Sequence, residues 1–190
     1  IGAIRFSSLP VIDGKLDDPC WTEMLKSGKT SVFLNNRDSS PAKQSTFALL
    51  GYDDDTLYIA VVCSERDSGK IRRKCELYET PVCNDDSVEI FVSTGQKPGE
   101  YFQFITNTGK GHYDGAAIDG LYCARRNPAW KRAVRIHENE WILEAAIPFS
   151  DLRFYKELPF DWRINIARNA ATQPELTALF PTGGNLHMPH

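Results

Sequence analysis

Residues 44–51 (QSTFALLG) and 56–63 (TLYIAVVC) flank Tyr52-Asp53-Asp54-Asp55, and this stretch decides the fold class. Both runs are apolar, rich in strand formers and too short for helices, while Asp tolerates turn geometry, so together they read as a β-hairpin. The same grammar recurs outward. Residues 86–93 (DSVEIFVS) and 101–107 (YFQFITN) are separated by the breaker-rich Thr94–Gly99, and Asn107-Thr108-Gly109 turns the chain again. Residues 131–136 (KRAVRI) and 141–147 (WILEAAI) flank His137–Glu140, and 162–167 (WRINIA) form a further strand. Helical signal is confined to Asp17-Asp18-Pro19-Cys20-Trp21, which predicts one short helix near 18–25, and to a single turn at Ser150-Asp151-Leu152. Residues 65–85 and 111–129 read as long polar loops. The expected fold is all-β: a two-sheet antiparallel β-sandwich with one or two short helices, in a single domain over 1–190.

Composition narrows the function classes. The chain has 190 residues, with 22 Lys plus Arg against 25 Asp plus Glu, a net charge of −3 and 42% hydrophobic residues. No basic block dominates, which argues against a nucleic-acid partner. The longest apolar run, Leu57–Cys63, is far short of the ~20 residues a membrane helix requires, so no membrane span is expected. Ile1–Phe6 lacks the charged start and apolar stretch of a signal peptide, and Ile1 is not an initiator Met; the sequence reads as a mature form or an excised fragment. There are five cysteines, an odd count, and no C-x-x-C pair, which argues against a zinc ribbon or finger. Cys75 and Cys83 flank a polar segment and could close a small disulfide loop, whereas Cys63 reads as a small core residue.

Strand parity separates core from surface. Trp21, Val88, Ile90, Phe102, Phe104, Trp141, Leu143, Trp162 and Ile164 are expected to be buried. If these strands are neighbours in one sheet, its other face carries Glu89, Gln103, Asn107, Glu144, Arg163 and Asn165. Such a face is commonly just solvated. Carboxylates and amides on a rigid sheet also suit paired hydrogen bonds to vicinal hydroxyls, as on a sugar. A sugar site further needs an aromatic wall. Trp130 is the first candidate and Tyr113 the second, with Tyr122 beside them.

Several stretches together resemble the family 9 carbohydrate-binding modules: Val11-Ile12-Asp13-Gly14 with Trp21, Tyr52–Val61, Asp86–Phe91, Glu144–Phe149, and the Gly-rich Pro181–Pro189. The resemblance spans residues 11–190. It implies a non-catalytic glycan-binding β-sandwich, typically an accessory domain of a secreted polysaccharide-degrading or cell-envelope protein, placed extracellularly or in the cell envelope beside other domains of a larger chain. It also implies a short closing strand that this sequence would lack. Glu89 and Asn107 match the family's polar site positions. The departures are as informative. The two Trp residues that clamp a sugar in the family fall at about Cys83 and Leu186, an Arg falls at Ile105 and a Gln at Ala167. Glycan binding would then rest on Glu89, Gln103, Asn107, Trp130 and Tyr113. The alternative is a structural or docking domain that binds no sugar.

Catalysis by Glu89 and Glu144 as a glycosidase pair has no further support in the sequence, and no Ser-His-Asp, P-loop or HExxH pattern occurs. Structural calcium, which the family often carries, would find oxygen ligands at Asp53, Asp54 and Asp55 or at Asn84, Asp85 and Asp86. A haem-binding electron-transfer module is the remaining alternative; Met24 and Met188 are the only Met residues, His187 lies too close in sequence to Met188 to straddle one iron easily, and His112 or His137 with Met188 remains.

Overall fold

The computed structural model describes residues 2–78, 81–94, 97, 99–124, 126–153 and 161–187. In chain order the strands are β1 (Ile4–Arg5), β2 (Ser31–Val32), β3 (Leu34–Asn35), β4 (Thr46–Tyr52), β5 (Thr56–Ser64), β6 (Ser87–Ser93) and β7 (Tyr101–Asn107). They continue with β8 (His112–Ile118), β9 (Leu121–Ala124), β10 (Lys131–Ile136), β11 (Glu140–Pro148), β12 (Arg163–Ala170) and β13 (Glu175–Ala178), and one helix, α1, spans Pro19–Lys26. A 3-10 turn at Phe149–Leu152 stands where the Ser150–Leu152 turn is expected. The fold is all-β, of the two-sheet β-sandwich class, and every strand pair but β1–β4 is antiparallel.

The chain forms two compact units, each built around one sheet. The first comprises Ile1–Val32, Gln44–Gly69 and Ala129–Asp151. Its sheet runs β1-β4-β5-β11-β10, with β2 also paired to β4. Asp53 closes the β4–β5 hairpin: Oδ1 accepts the Asp55 and Thr56 amides at 2.8 and 2.7 Å, and Oδ2 accepts the Tyr58 hydroxyl at 2.9 Å. Pro19 starts α1, where its missing N–H costs nothing. The helix buries Cys20, Trp21 and Met24 against Leu49, Tyr58, Ala60 and Ala146. Phe6 meets Trp21 edge-on at 5.0 Å and lies flat on Gly51, where a Cβ would come within 2.0 Å of its ring.

Glu144 explains the Ile-Asp-Gly opening. It is fully buried; Oε1 accepts Trp21 Nε1–H at 2.7 Å, and Oε2 accepts the Gly14 and Asp13 amides at 2.7 and 3.0 Å. Gly14 has φ +82° and a Cβ there would sit 2.9 Å from Arg135 Cβ, so the turn admits only glycine. Glu144 therefore does not share a face with Glu89. Strand β11 pairs with β5 along its whole length, in the other sheet, and parity alone cannot say to which sheet a strand belongs.

The second unit comprises Phe33–Lys43, Lys70–Pro128 and Leu152–His190, and its sheet runs β3-β13-β12-β6-β7-β8-β9. Residues 111–129 are not one loop, because β8 and β9 form a hairpin there. Asp119 and Gly120, with φ +49° and +77°, make the tight turn that suits strand twist. Val88, Ile90, Phe102 and Phe104 are buried here, as are Trp21, Trp141 and Leu143 in the first unit, whereas Trp162 and Ile164 at the start of β12 are only half-buried. Cys75 and Cys83 are not bridged: the Cys75 thiol points at the Pro81 carbonyl, 3.6 Å away.

Candidate functional site

The neighbouring strands β6, β7, β8 and β9, with Leu176 of β13 and two flanking segments of the second unit, line an open cavity of about 650 Å³. Its floor is the β6–β7–β8 surface, where Glu89 lies opposite Ile105, and Ile105 opposite Tyr113. One wall is β9 with Tyr122, and Cys83, Leu186 and His187 also line the cavity.

The polar groups form one continuous chain. The Tyr113 hydroxyl donates to the Tyr122 hydroxyl at 2.8 Å, and Tyr122 donates to Gln103 Oε1 at 2.6 Å. Gln103 Nε2 then donates to Glu89 Oε2 at 3.0 Å, while Asn169 Nδ2 donates to Glu89 Oε1 at 2.8 Å. Each member fixes the orientation of the next. Gly115 permits this arrangement, since a Cβ there would come within 2.3 Å of Tyr122 Oη.

Glu89 is only 6% exposed. Burial pushes its carboxyl above the usual range, and the bonds from Asn169 and Gln103 pull only part of the way back. Burial likewise raises the Tyr122 and Tyr101 hydroxyls, so both remain protonated donors. Tyr101 Oη and His187 Nδ1 are 2.7 Å apart, and Phe91 packs edge-on against both rings at 5.7 Å.

Of the residues expected at a sugar site, the structure brings Glu89, Gln103 and Tyr113 together. Asn107 is fully buried elsewhere: Nδ2 donates to the Cys75 carbonyl at 2.7 Å and Asp85 Oδ2 at 2.9 Å, and Oδ1 accepts the Gly109 amide at 2.9 Å. Its Nδ2 holds the loop before β6 and its Oδ1 the turn after β7. Trp130 belongs to the first unit, where the Arg132 guanidinium lies 5.8 Å from its ring centroid, and it is not part of the cavity lining. Asn165 binds the Phe180 backbone with both ends of its amide, at 2.8 and 3.0 Å. Sequence reasoning missed Tyr101, Asn169 and His187. Tyr101 shares parity with Gln103 and was detectable that way; His187 lies in irregular chain with no periodic signal.

The Asp-rich turns do not fit a calcium cage. Asp53 is spent on its hairpin, Asp54 pairs with Arg5 at 2.5 Å, and Asp55 contributes its amide to the turn. Asp85 Oδ2 accepts the Cys75 amide at 2.8 Å, and Asp86 accepts the Arg72 and Ala171 amides at 2.8 and 3.0 Å. These oxygens hold turn-forming N–H groups, Asp85 Oδ1 faces the Arg72 guanidinium at 3.5 Å, and among the described residues no group of three or more Asp, Glu, His or Cys converges as a metal site. For haem, Met24 is buried in the first unit and Met188 lies outside the described residues. Glu144, committed to Trp21 and two amides, is not a partner for Glu89 in catalysis.

The strand order is that of a two-sheet β-sandwich, and one sheet carries a tyrosine-walled, largely apolar cavity crossed by a chain of polar groups, the arrangement of a candidate ligand site. The Carbohydrate family 9 binding domain-like family matches residues 12–182, and the chain belongs to that family. A protein of known structure from Bacteroides uniformis ATCC 8492 is 17% identical, with a TM-score of 0.68 over 96% of this chain and 92% of that one. A family 9 carbohydrate-binding module from Caldicellulosiruptor kristjanssonii, in complex with glucose, gives 16% and 0.62 over 98% of this chain and 90% of that one. The Caldicellulosiruptor kristjanssonii module in complex with cellotriose gives 16% and 0.63 over 97% and 86%. At these identities the likeness is one of fold. No curated protein sequence matches the chain. No helix among the described residues is long and apolar enough to cross a membrane.

Proposed function

We propose that the chain is a non-catalytic glycan-binding module whose site is the cavity over Glu89, and that it serves as an accessory domain of a secreted or cell-envelope protein acting on polysaccharide. The observation that carries this reading is the chain Tyr113–Tyr122–Gln103–Glu89–Asn169, held on rigid strands and open to a cavity of about 650 Å³. A pyranose offers rings of hydroxyls that both donate and accept. Glu89 accepts from them, Tyr101 and the tyrosine pair exchange bonds with them, and the tyrosine faces cover the apolar C–H surface of the ring. Cys83 and Leu186 line the cavity where the resemblance would place a pair of Trp residues, so the tyrosines supply the aromatic wall instead. Hydrogen bonds to sugar hydroxyls largely replace those to water, so affinity is modest. A calorimetric screen of the chain against soluble oligosaccharides tests the reading: saturable binding weakened by Tyr122→Ala supports it, and no heat with any glycan removes it.

A further inference from the structure

The charge inside the cavity narrows which glycan it takes, an inference that rests on the glycan-binding reading above. Glu89 is 6% exposed, and its hydrogen-bond partners are neutral amides, from Gln103 at 3.0 Å and Asn169 at 2.8 Å. The chain has 22 Lys and Arg residues, yet none lines the cavity among the described residues. The other titratable groups facing it are the Cys83 thiol on the turn before β6, Tyr101 on β7, Tyr113 on β8, Tyr122 on β9 and His187 on the C-terminal segment. A buried carboxylate thus faces a ring of tyrosines with no permanent cation. The Tyr101 and Tyr122 rings stand 6.4 Å apart, tilted by 41°, and both border the cavity.

We propose that the cavity selects a cationic amino sugar, a glucosamine-type residue with a free ammonium group, over a neutral sugar of the same shape. A carboxylate has room for about four acceptor contacts, and the two amides use part of that capacity. An ammonium brings three donors and the missing charge, so its bond to Glu89 is charge-assisted and formed away from water. The electron-rich tyrosine faces attract the same charge. A hydroxyl brings one donor and no charge, and an acetylated amine loses the charge and keeps a single N–H donor. Uronates and sulfated sugars meet Glu89 as a like charge.

The same geometry gives binding a bell-shaped pH dependence. On the acid side Glu89, whose carboxyl burial pushes up, must ionise. On the alkaline side the ligand amine loses its proton, in the region of about pH 8 typical of an α-amino group. The phenols of Tyr101 and Tyr122 are pushed up by burial and stay neutral throughout.

The test is calorimetric titration of the full chain with three trisaccharides of equal length: the fully deacetylated glucosamine trimer, its N-acetylated counterpart and cellotriose. The glucosamine trimer is expected to bind about tenfold tighter than either at pH 7, the gain of one charge-assisted contact. That preference should vanish at pH 9.5 in the unaltered protein, and already at pH 7 in Glu89→Gln, whose folding is checked by its thermal transition. Equal or tighter binding of the N-acetylated trimer or cellotriose at pH 7 overturns the amino-sugar selection while leaving glycan binding in place. A preference that persists at pH 9.5 overturns it as well. No binding of any trisaccharide overturns both this inference and the reading on which it rests.

Discussion

The Tyr122 hydroxyl occupies the space that a Cβ on residue 115 would need, 2.3 Å from the ideal Cβ position. That close approach lets a side chain from the β8–β9 hairpin reach across the sheet to Gln103, and through it to Glu89. Gly115→Ala should therefore displace Tyr122 and loosen the whole chain of bonds. The expected result is a glycan affinity lower by about tenfold, through lost ring contact and lost orientation of Gln103. Tyr122→Phe is the control: it keeps the ring, removes the hydroxyl and should lose less. Titrating both variants against the best ligand of the wild-type protein checks the order.

Glu144 should behave in the opposite way. Its oxygens satisfy Trp21 Nε1 and the Asp13 and Gly14 amides inside the first unit. Glu144→Ala leaves those buried donors without an acceptor and is expected to cost about 3 kcal/mol or more of stability. Glycan affinity of the protein that remains folded should not change. Urea unfolding with a parallel binding assay separates the two effects.

The pH dependence of stability follows from the direction of the carboxyl shifts. Glu89, ordinarily near 4.5, is pushed up by burial. Above 4.5 the folded state holds this proton longer than the unfolded chain does, so the folded state binds more protons and its stability falls as pH rises through the folded value. Glu89→Gln has no such proton. Its thermal midpoint minus that of the wild type should increase from pH 4 to pH 8, whatever the constant offset between the two. A difference that is flat with pH would show that the Glu89 carboxyl is not raised.

Calcium should leave the thermal transition where it is. Asp53 Oδ1, Asp85 Oδ2 and Asp86 accept turn-forming amide protons, and Asp85 Oδ1 faces the Arg72 guanidinium at 3.5 Å, so a cation would have to displace these contacts. Millimolar calcium against a chelator, read by melting, checks this; a rise with calcium reversed by chelation would contradict the donor assignment.

What was legible in the sequence depended on periodicity. The hairpins at 44–63, 86–107 and 131–147 show alternation over long apolar runs, and their turns carry Asp, Gly and Pro. The β8–β9 hairpin was hidden because HYDGAAI is poor in strand formers, although its Asp119-Gly120 pair was a readable turn signal. Parity placed Glu89 and Gln103 on one face, but it could not tell which sheet β11 joins, so Glu144 was grouped with them. Nothing in the sequence separates Trp130 from the aromatics of the β8–β9 region, and only tertiary structure shows its indole in the first unit under Arg132. The His187 segment has no period, so nothing in the local sequence announced it.

The central claim is that the cavity over Glu89 is the glycan site. The most direct measurement is a pair of nuclear magnetic resonance titrations of labelled protein with the tightest soluble oligosaccharide, with and without Tyr122→Ala. The largest ligand-induced shifts are expected on Glu89, Gln103, Tyr101 and Tyr122 and their strand neighbours, and they should collapse in the variant. Shifts centred on Trp130 and β10, unaffected by Tyr122→Ala, would contradict it.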